Sequence, residues 1–338
     1  MKYCRRPSPL PLLGSVLLLS LAVPGGCAAD APDRFGIYTA DLSGDNVQTV
    51  VADAERELTH PRVSHNGQWI TFTRYNDKGP DGCAREAGGY ADTEIMIVRV
   101  DGTGLQSVVA PKPGVLAANS SWLPDDSGLV FLSTDNPQRL PQIMTVDLAS
   151  RTLARLPAPA GAVVSDPHVV GNLVVFPAFL PGRPGPLWIM TRDGSAARQL
   201  TYPPLSGWDD SGNCPPGDYD PRIAPDGTRV AFMRPYQQGW HSLVVDVATG
   251  QEHDLSGPGD IDGTPDWSGD GTKLILWHVN LANLAETGVY TMNPDGTGRE
   301  MVPLPRGYQH GHPGFFPGDA LSPAARIVYD AELYPGLP

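Results

Sequence analysis

The chain has 338 residues and a formal net charge of −13, and it is rich in turn-forming residues, with 38 glycines and 36 prolines. Only 18 % of the residues are charged, and no stretch carries a sustained apolar stripe of helical period, so short strands and tight turns are favoured. No Lys/Arg cluster follows the first few residues, which argues against nucleic acids and anionic lipid surfaces as partners, because both require basic patches. We therefore expect a soluble, turn-rich β protein.

Residues 1–26 have the pattern of an export signal. Three basic residues lie among the first six, followed by an apolar run from Leu10 to Val23 that is too short to span a membrane as a helix, and then by small residues. The ending at Cys27 resembles a bacterial lipoprotein signal, which implies that Cys27 becomes the lipidated first residue of the mature chain. Secretion without a lipid is the alternative. We expect an exported protein, periplasmic or at the cell surface, that touches a membrane only through an anchor at Cys27, with residues 27–34 as a short linker.

Two cysteines remain in the mature part of the chain, Cys83 and Cys214. Cys4 belongs to the signal, and Cys27 is either lipidated or removed with it. An isolated pair in an oxidising compartment predicts a disulfide bond, with two free thiols as the alternative.

One unit recurs six times along the mature chain. Each copy has a polar residue, which proline follows in five of the six, then a short hydrophobic stretch, a tight turn and an apolar strand. Asn-Gly or Asp-Gly pairs at 66–67, 226–227 and 270–271 supply the turn chemistry of antiparallel hairpins, and the flanking alternation predicts strands of period two. The copies span residues 60–74, 119–134, 166–178, 220–234, 264–278 and 312–331.

A second type of hairpin lies between these units, at residues 35–50, 94–109, 142–156, 187–201, 242–255 and 288–302. Two hairpins make a four-stranded antiparallel blade, and blades in radial array make a β-propeller. The chain begins with the second type and ends with the first, so the two can pair into one blade that closes the ring without exposed edges. Over 35–334 we predict an all-β fold, a six-bladed β-propeller whose N-terminal and C-terminal hairpins share one blade.

The copies at 220–234 and 264–278, followed by strands such as 288–298, resemble the repeat of the TolB-like (WD40-like, PD40) propeller family. The resemblance covers essentially the whole mature chain. It implies an exported envelope protein of the binding or scaffold kind, although related propellers front peptidases or act as polysaccharide lyases, and fold alone does not choose among these. No Gly-x-Ser-x-Gly elbow accompanies the repeats, which argues against a peptidase.

Alignment of the six copies places one polar residue of each at the same repeat position. In a propeller this position begins the innermost strand, so these residues should ring one mouth of the central channel. They are His60, Asn119, Asp166, Asp220, Thr264 and His312. A polar, hydrated mouth needs no metal, and this is the simpler interpretation of the histidines.

A catalytic interpretation stands beside it. Gln309, His310 and His312, followed by proline and an aromatic strand, resemble the closing blade of oligogalacturonate lyases, where Gln and His hold a divalent cation against a uronate carboxylate. His278 would be a further ligand. Such a metal would acidify the adjacent C–H bond, which predicts a metal-dependent lyase or hydrolase acting on an acidic sugar as the alternative function. No other cofactor is implied.

Two unusually long connections, 75–93 and 202–220, carry Cys83 and Cys214, and a bond between them would join two loops across the channel mouth. Long loops on a rigid scaffold commonly carry binding function. The same face should collect Trp208, Asp209, Asp210, Tyr219, Trp240, His241, Asp260, Asp262, His278 and Tyr308. Aromatic and acidic groups suit a sugar, a cationic peptide or a small polar ligand, with a solvated rim as the alternative. We expect a monomer that binds an envelope protein, a peptide or a glycan.

Overall fold

The structure, a computed structural model, describes residues 34–76, 92–205, 216–237, 239–280 and 282–333. Nearly all regular structure in these ranges is β-strand, with one short 3-10 helix at Leu284–Glu286. No helix among the described residues is long and apolar enough to cross a membrane.

The first half of the strands forms a hairpin and two and a half blades. These strands are β1 (Phe35–Asp41), β2 (Gln48–Asp53), β3 (Leu58–Val63), β4 (Trp69–Tyr75), β5 (Thr93–Arg99), β6 (Gln106–Val109), β7 (Ala117–Trp122), β8 (Gly128–Ser133), β9 (Gln142–Asp147), β10 (Leu153–Arg155), β11 (Val163–Val164), β12 (His168–Val170) and β13 (Leu173–Phe179). Blade 1 is β3–β6 and blade 2 is β7–β10. In blade 3 the innermost strand is in two pieces, β11 and β12, which both pair with β13.

The remaining strands complete the ring. They are β14 (Leu187–Thr191), β15 (Arg198–Gln199), β16 (Tyr219–Ile223), β17 (Arg229–Tyr236), β18 (Gly239–Asp246), β19 (Glu252–Asp254), β20 (Ile261–Trp267), β21 (Leu274–Val279), β22 (Gly288–Met292), β23 (Glu300–Met301), β24 (Tyr308–Phe315) and β25 (Arg326–Leu333). Blade 3 ends with β14 and β15, blade 4 is β16–β19 and blade 5 is β20–β23. A single parallel bridge from Trp240 to Ile261 joins blades 4 and 5 into one sheet.

The two ends of the described chain share a blade, as the order of the repeats predicts. The sheet runs β2-β1-β25-β24, and β1 pairs antiparallel with β25 from Phe35 opposite Glu332 to Asp41 opposite Arg326. Each innermost strand contacts the next, in the order β3, β7, β12, β16, β20, β24 and back to β3. The described strands therefore form antiparallel, mostly four-stranded blades whose innermost strands contact one another in a closed sequence, and the exact number of blades stays a prediction.

Apolar side chains fill the spaces between neighbouring blades. Ile37 of β1 and Phe72 of β4 lie in one buried cluster between the shared blade and blade 1, and five equivalent clusters lie between the other neighbours. This packing follows from period-2 strands that are buried on both faces, because each blade lies between two others. The core is thus a ring of interfaces around a polar channel.

The six predicted mouth residues share one unusual backbone conformation. Each has a positive φ, with angles of 57° at His60, 56° at Asn119, 40° at Asp166, 47° at Asp220, 49° at Thr264 and 41° at His312. At five of them the register between the innermost strand and its neighbour shifts, and at the sixth, Asp166, the strand is interrupted. A bulge of this kind bends a strand and re-aims a side chain.

The strain at this position can be tested with a reciprocal pair of substitutions. Thr264 is β-branched at φ 49°, and its buried hydroxyl has no hydrogen-bond partner among the described residues. We expect Thr264→Asn to raise the free energy of unfolding by about 0.5–1 kcal/mol, since asparagine tolerates the left-handed region better. Asn119→Thr should lower it by about 1–3 kcal/mol, because it adds the same strain and removes a hydrogen bond to Asp166. Urea denaturation measures both, and a loss of stability in Thr264→Asn would contradict the prediction.

Candidate functional site

The mouth of the channel is held on one side by Asp330 of β25. Its Oδ2 lies 2.6 Å from Nδ1 of His312, accepts a hydrogen bond from Oγ1 of Thr59 at 3.1 Å and accepts another from the backbone N–H of His60 at 3.0 Å. The imidazole rings of His60 and His312 lie against each other, with 3.6 Å between their centroids. One buried carboxylate thus fixes two histidines from adjacent blades.

On the other side of the mouth, Asp166 accepts hydrogen bonds from Asn119 and from the hydroxyl of Ser165. Burial raises its pKa above the usual value for an aspartate. Nε2 of His60 lies 3.8 Å from Oδ1 of Asp220, and the ligand atoms of His60, Asp166 and Asp220 all lie within 4.8 Å of one another. Side chains from blades 1, 3 and 4 therefore meet in the channel, as the prediction of a ring at the mouth requires.

A second ring, which sequence reasoning did not select, lies two residues further along each innermost strand. Two of its members are arginines on opposite blades, and the signal in the sequence is the Pro-Arg that follows His60 and Asp220. This second ring contains Arg62, Ser121, His168, Arg222, Asp266 and Gly314.

Not all residues predicted to line the loop-rich face are exposed there. Tyr219 and Trp240 are each only 5 % exposed and belong to an apolar cluster between the blades, so their rings do not face solvent. Alternate side chains of a strand point to opposite faces, and these two point into the protein. The prediction considered only that both residues lie near long connections. The side chain of His241 is half-buried beside the exposed Asp254, with Nδ1 2.7 Å from Oδ2. Trp208, together with Asp209 and Asp210, lies outside the described residues.

Cysteines 27, 83 and 214 also lie outside the described residues. The lipid anchor at Cys27 and the bond between Cys83 and Cys214 stay predictions. The described ends of the two long connections, at Asn76 and Asp92 and at Leu205 and Pro216, lie on the face where the innermost strands begin.

The four residues of the predicted metal site are distributed over two neighbouring blades. His312 contacts Thr59, Asp330 and His60, whereas His310 packs its ring against Tyr329, with centroids 5.4 Å apart. Burial lowers the pKa of His310 to about 4. Gln309 is half-buried on β24. The metal at this set stays a prediction.

His278 belongs to a separate cluster with two aspartates of blade 5. Its Nδ1 lies 2.7 Å from Oδ1 of Asp262, which is fully buried and also accepts from Nη2 of Arg299 at 2.5 Å. The hydrogen bond from His278 and the charge of Arg299 outweigh the effect of burial and lower the pKa of Asp262. Ligand atoms of Asp260, Asp262 and His278 lie within 4.8 Å of one another.

Blade 4 carries an equivalent ion pair at the same repeat positions. Arg234 occupies the place of His278, and Asp218 the place of Asp262, with Nε of Arg234 2.6 Å from Oδ1 of Asp218. Arg234 also reaches Glu252 at 2.7 Å. Because an arginine cannot serve as a metal ligand, the repeat position itself is one for a buried ion pair. The Asp262–His278 contact is therefore explained by the scaffold alone.

Comparisons with known proteins support the fold. No protein-family model matches the chain, and no curated protein matches it. Among solved structures, TolB from Acinetobacter baumannii is similar with a TM-score of 0.59 at 14 % identity, covering 90 % of this chain and 65 % of that one. The nidogen/laminin complex gives a TM-score of 0.54 at 9 % identity, covering 80 % of this chain and 94 % of that one. Oligogalacturonate lyase from Vibrio parahaemolyticus gives a TM-score of 0.49 at 12 % identity, covering 86 % of this chain and 81 % of that one. This similarity is too low to support an inference.

The chain is a β-propeller. This follows from the four-stranded antiparallel sheets, the shared blade and the similarity to the TolB and nidogen/laminin structures. Within this class the fold is TolB-like, as the resemblance of the repeats predicts. At such identities the likeness concerns fold alone, and the chain spans 65 % of the length of that TolB structure.

The scaffold role of the repeated ion pair can be tested in blade 4. The Arg234 side chain is 3 % exposed and that of Asp218 is fully buried, so Arg234→Met would leave an uncompensated carboxylate in the interior. We expect a loss of about 3–5 kcal/mol in the free energy of unfolding. The control is Arg326→Met at the more exposed pair with Asp319, which should cost at most about 1 kcal/mol. Similar losses in the two variants would contradict this assignment.

Proposed function

We propose that the chain is an exported binding or scaffold protein of the bacterial envelope, which takes a protein, a peptide or a glycan on the face where the innermost strands begin. The observation that carries this proposal is that the two long connections begin and end on that face, beside the most exposed apolar side chains of the described residues. Long loops on a rigid scaffold commonly carry binding function.

The two faces of the propeller differ in a way that supports binding on the mouth face. The opposite face is built from tight hairpin turns, such as those at Gly227 and Gly271. The mouth face carries the described ends of the two long connections and the three most exposed large apolar side chains of the described residues, Leu205 at 84 %, Tyr202 at 73 % and Leu140 at 51 %. Exposed apolar groups beside a polar channel are typical of a surface that meets a partner.

Two further observations agree with a binding role. The nidogen neighbour was solved as a complex with laminin, so a protein of similar fold is known in a complex. The pattern of residues 1–26 supports export, and Cys27 supports a lipid anchor that would hold the propeller at a membrane surface.

The anchor is testable by metabolic labelling in a bacterial host. We expect the full chain to incorporate an alkyne-labelled fatty acid and to fractionate with membranes, because the thiol of Cys27 is the predicted attachment point. Cys27→Ser should abolish the label, whereas Cys83→Ser should retain it. Labelling that survives Cys27→Ser, or an unlabelled wild-type chain, would contradict lipidation.

The binding face is testable by photocrosslinking in the same host. Benzoylphenylalanine in place of Tyr202, which is 73 % exposed on the mouth face, should give a discrete adduct. The control position is Ala149, exposed in the turn between β9 and β10 on the opposite face. A discrete adduct from Tyr202 alone is the expected result. Equal adducts from both positions, or none from either, would contradict a partner on the mouth face.

A metal-dependent enzyme acting on an acidic sugar is the second candidate, and one observation favours it. The imidazole of His60 and the carboxylates of Asp166 and Asp220 come close enough to share one cation. Imidazole and carboxylate together suit a divalent ion of the first transition row, and the cation would offset the burial of Asp166. Such an ion would supply Lewis-acid chemistry, and these residues would hold it.

Metal analysis of the untagged protein distinguishes the two candidates. If the site is real, one equivalent of divalent metal should be present and should be lost in Asp166→Asn. Loss in His312→Ala but not in Asp166→Asn would instead favour the site with Gln309 and His310. The control is His253→Ala, an exposed histidine on β19. No metal in the wild-type protein after incubation with manganese or zinc would remove the enzymatic candidate and leave the binding role untouched.

A further inference from the structure

The chain enters the propeller on the mouth face. Phe35, the first residue of β1, lies opposite Asp53 of β2 and Glu332 of β25. The next residue of β25, Leu333, lies opposite Tyr308, where the innermost strand β24 begins. Because the innermost strands begin at the mouth, these strand ends all lie on that face, and the chain that precedes β1 reaches the propeller from the mouth side.

Arg34 is fixed at this point of entry. Its Nη2 lies 2.9 Å from Oε1 of Glu332, and its carbonyl oxygen accepts the backbone N–H of Leu333 at 2.8 Å. Its guanidinium group also lies over the ring of Phe35, 4.9 Å from the centroid. The chain is therefore attached to the shared blade as far as Arg34, and any anchor must start from there.

The connection to the predicted anchor is short. Seven residues of chain lead from Arg34 back to Cys27, and at about 3.6 Å per residue they reach at most about 25 Å, however they are arranged. Strand β1 alone spans about 20 Å of the shared blade. A chain that ran back along this blade to the opposite face would have almost no length left to reach a lipid. An anchor at Cys27 therefore brings the mouth face to the bilayer.

Four exposed apolar side chains of the mouth face are gathered in one region, which we call the apolar sector. Leu140 lies in the connection from β8 to β9, Leu180 in the connection from β13 to β14, and Tyr202 and Leu205 follow β15. The sector thus covers the neighbouring blades 2 and 3 and the link into blade 4. The other exposed large apolar side chains of the described residues are scattered over turns of the opposite face and one outermost strand. They are Val47, Leu105, Leu153 and Met301.

The apolar sector lies across the mouth from the point where the chain enters. The innermost strands contact one another in the order β3, β7, β12, β16, β20 and β24, so β12 of blade 3 is three strands from β24 of the shared blade in both directions. A lipid anchor at one rim leaves a disc free to tilt, whereas a second attachment at the opposite rim holds its face parallel to the membrane. The sector is placed to make that second attachment.

Basic side chains accompany the apolar ones. Arg139 and Arg183 are exposed in the same two connections as Leu140 and Leu180, and neither forms an ion pair with any described residue. A segment with apolar side chains and carboxylates complements this surface. An anionic lipid headgroup offers the same chemistry, but the chain as a whole has a net charge of −13, which opposes adsorption on an anionic surface. Charge complementarity therefore favours a protein segment.

We propose that the anchored propeller turns its mouth face to the bilayer and docks there, through the apolar sector, on an extramembrane segment of a membrane protein. The inference rests on the anchor of the proposed function and specifies the kind of partner. At the anchored rim the gap to the lipid is at most about 25 Å, whereas a small globular domain is about 30 Å across. A short segment that emerges from the bilayer fits this gap, and a soluble globular partner does not.

The orientation is testable by energy transfer on phosphatidylcholine vesicles that carry the full lipidated protein. p-Azidophenylalanine in place of Tyr202 on the mouth face, or of Ala149 on the opposite face, takes a donor dye, and a headgroup-labelled lipid is the acceptor. We expect transfer from position 202 to exceed transfer from position 149 several-fold, because the length of a blade separates them. Cys27→Ser with the donor at position 202 is the control and should give no transfer.

The outcomes separate this inference from the anchor itself. Equal transfer from the two positions, or more from position 149, overturns the orientation and leaves the anchor standing. A wild-type chain that does not attach to the vesicles refutes the anchor and the inference together. Transfer that persists in Cys27→Ser means that the sector binds lipid directly, which overturns the protein partner.

The partner is testable with benzoylphenylalanine at position 202 in the bacterial host. Mass spectrometry of the adduct should identify a protein with a membrane-spanning segment, crosslinked through its extramembrane part. Leu140→Asp and Arg183→Glu should each lower the adduct yield by about tenfold or more, because they remove an apolar contact or reverse a charge. Leu153→Asp and Arg192→Glu, at exposed positions of the opposite face, are the matched controls and should keep it. A soluble partner, a phospholipid adduct or equal losses in all four variants would overturn the proposal.

Discussion

The antiparallel pairing of β1 with β25 is the contact on which the rest of the molecule depends. It joins residues nearly 300 positions apart, from Phe35 opposite Glu332 to Asp41 opposite Arg326, and it converts a row of blades into a ring. Without it, the apolar faces of the first and last hairpins would lose their partners, and sheet edges would be exposed. Closure also brings Asp330 beside β3, so the same contact that completes the fold assembles His60 and His312 at the mouth.

Favourable and unfavourable contributions to stability lie in different parts of the ring. Apolar clusters between the blades supply the favourable burial, one for each pair of neighbours. The channel, in contrast, collects buried ionisable groups that cost free energy unless they are paired, with aspartates and histidines at the mouth and arginines one step deeper. A scaffold with six large interfaces can tolerate such a channel, and a polar lining of this kind gives a site its specificity.

Much of the architecture could be predicted because the repeats can be aligned with one another within this single sequence. Aligning six copies was enough to place Thr264 and Asn119 at equivalent positions of the mouth, and the phase of the two hairpin types was enough to predict the shared blade. The side-chain neighbourhood was harder. Tyr219 and Trp240 lie near long connections in the sequence, yet their strands turn them into an apolar cluster, since a shift of one residue reverses the face of a strand. Contacts across the channel, such as those between Arg62 and its surroundings, join residues that no local pattern relates.

Repetition also separates scaffold from function. A feature that neighbouring blades share, such as the pair of Asp262 with His278 and its copy in blade 4, is explained by the fold. A feature that breaks the sixfold pattern needs another cause. Arginine follows the mouth residue by two positions only in blades 1 and 4, which face each other across the channel. These are also the blades beside which the two long connections emerge. Two independent departures from the repeat therefore lie on one diameter of the ring.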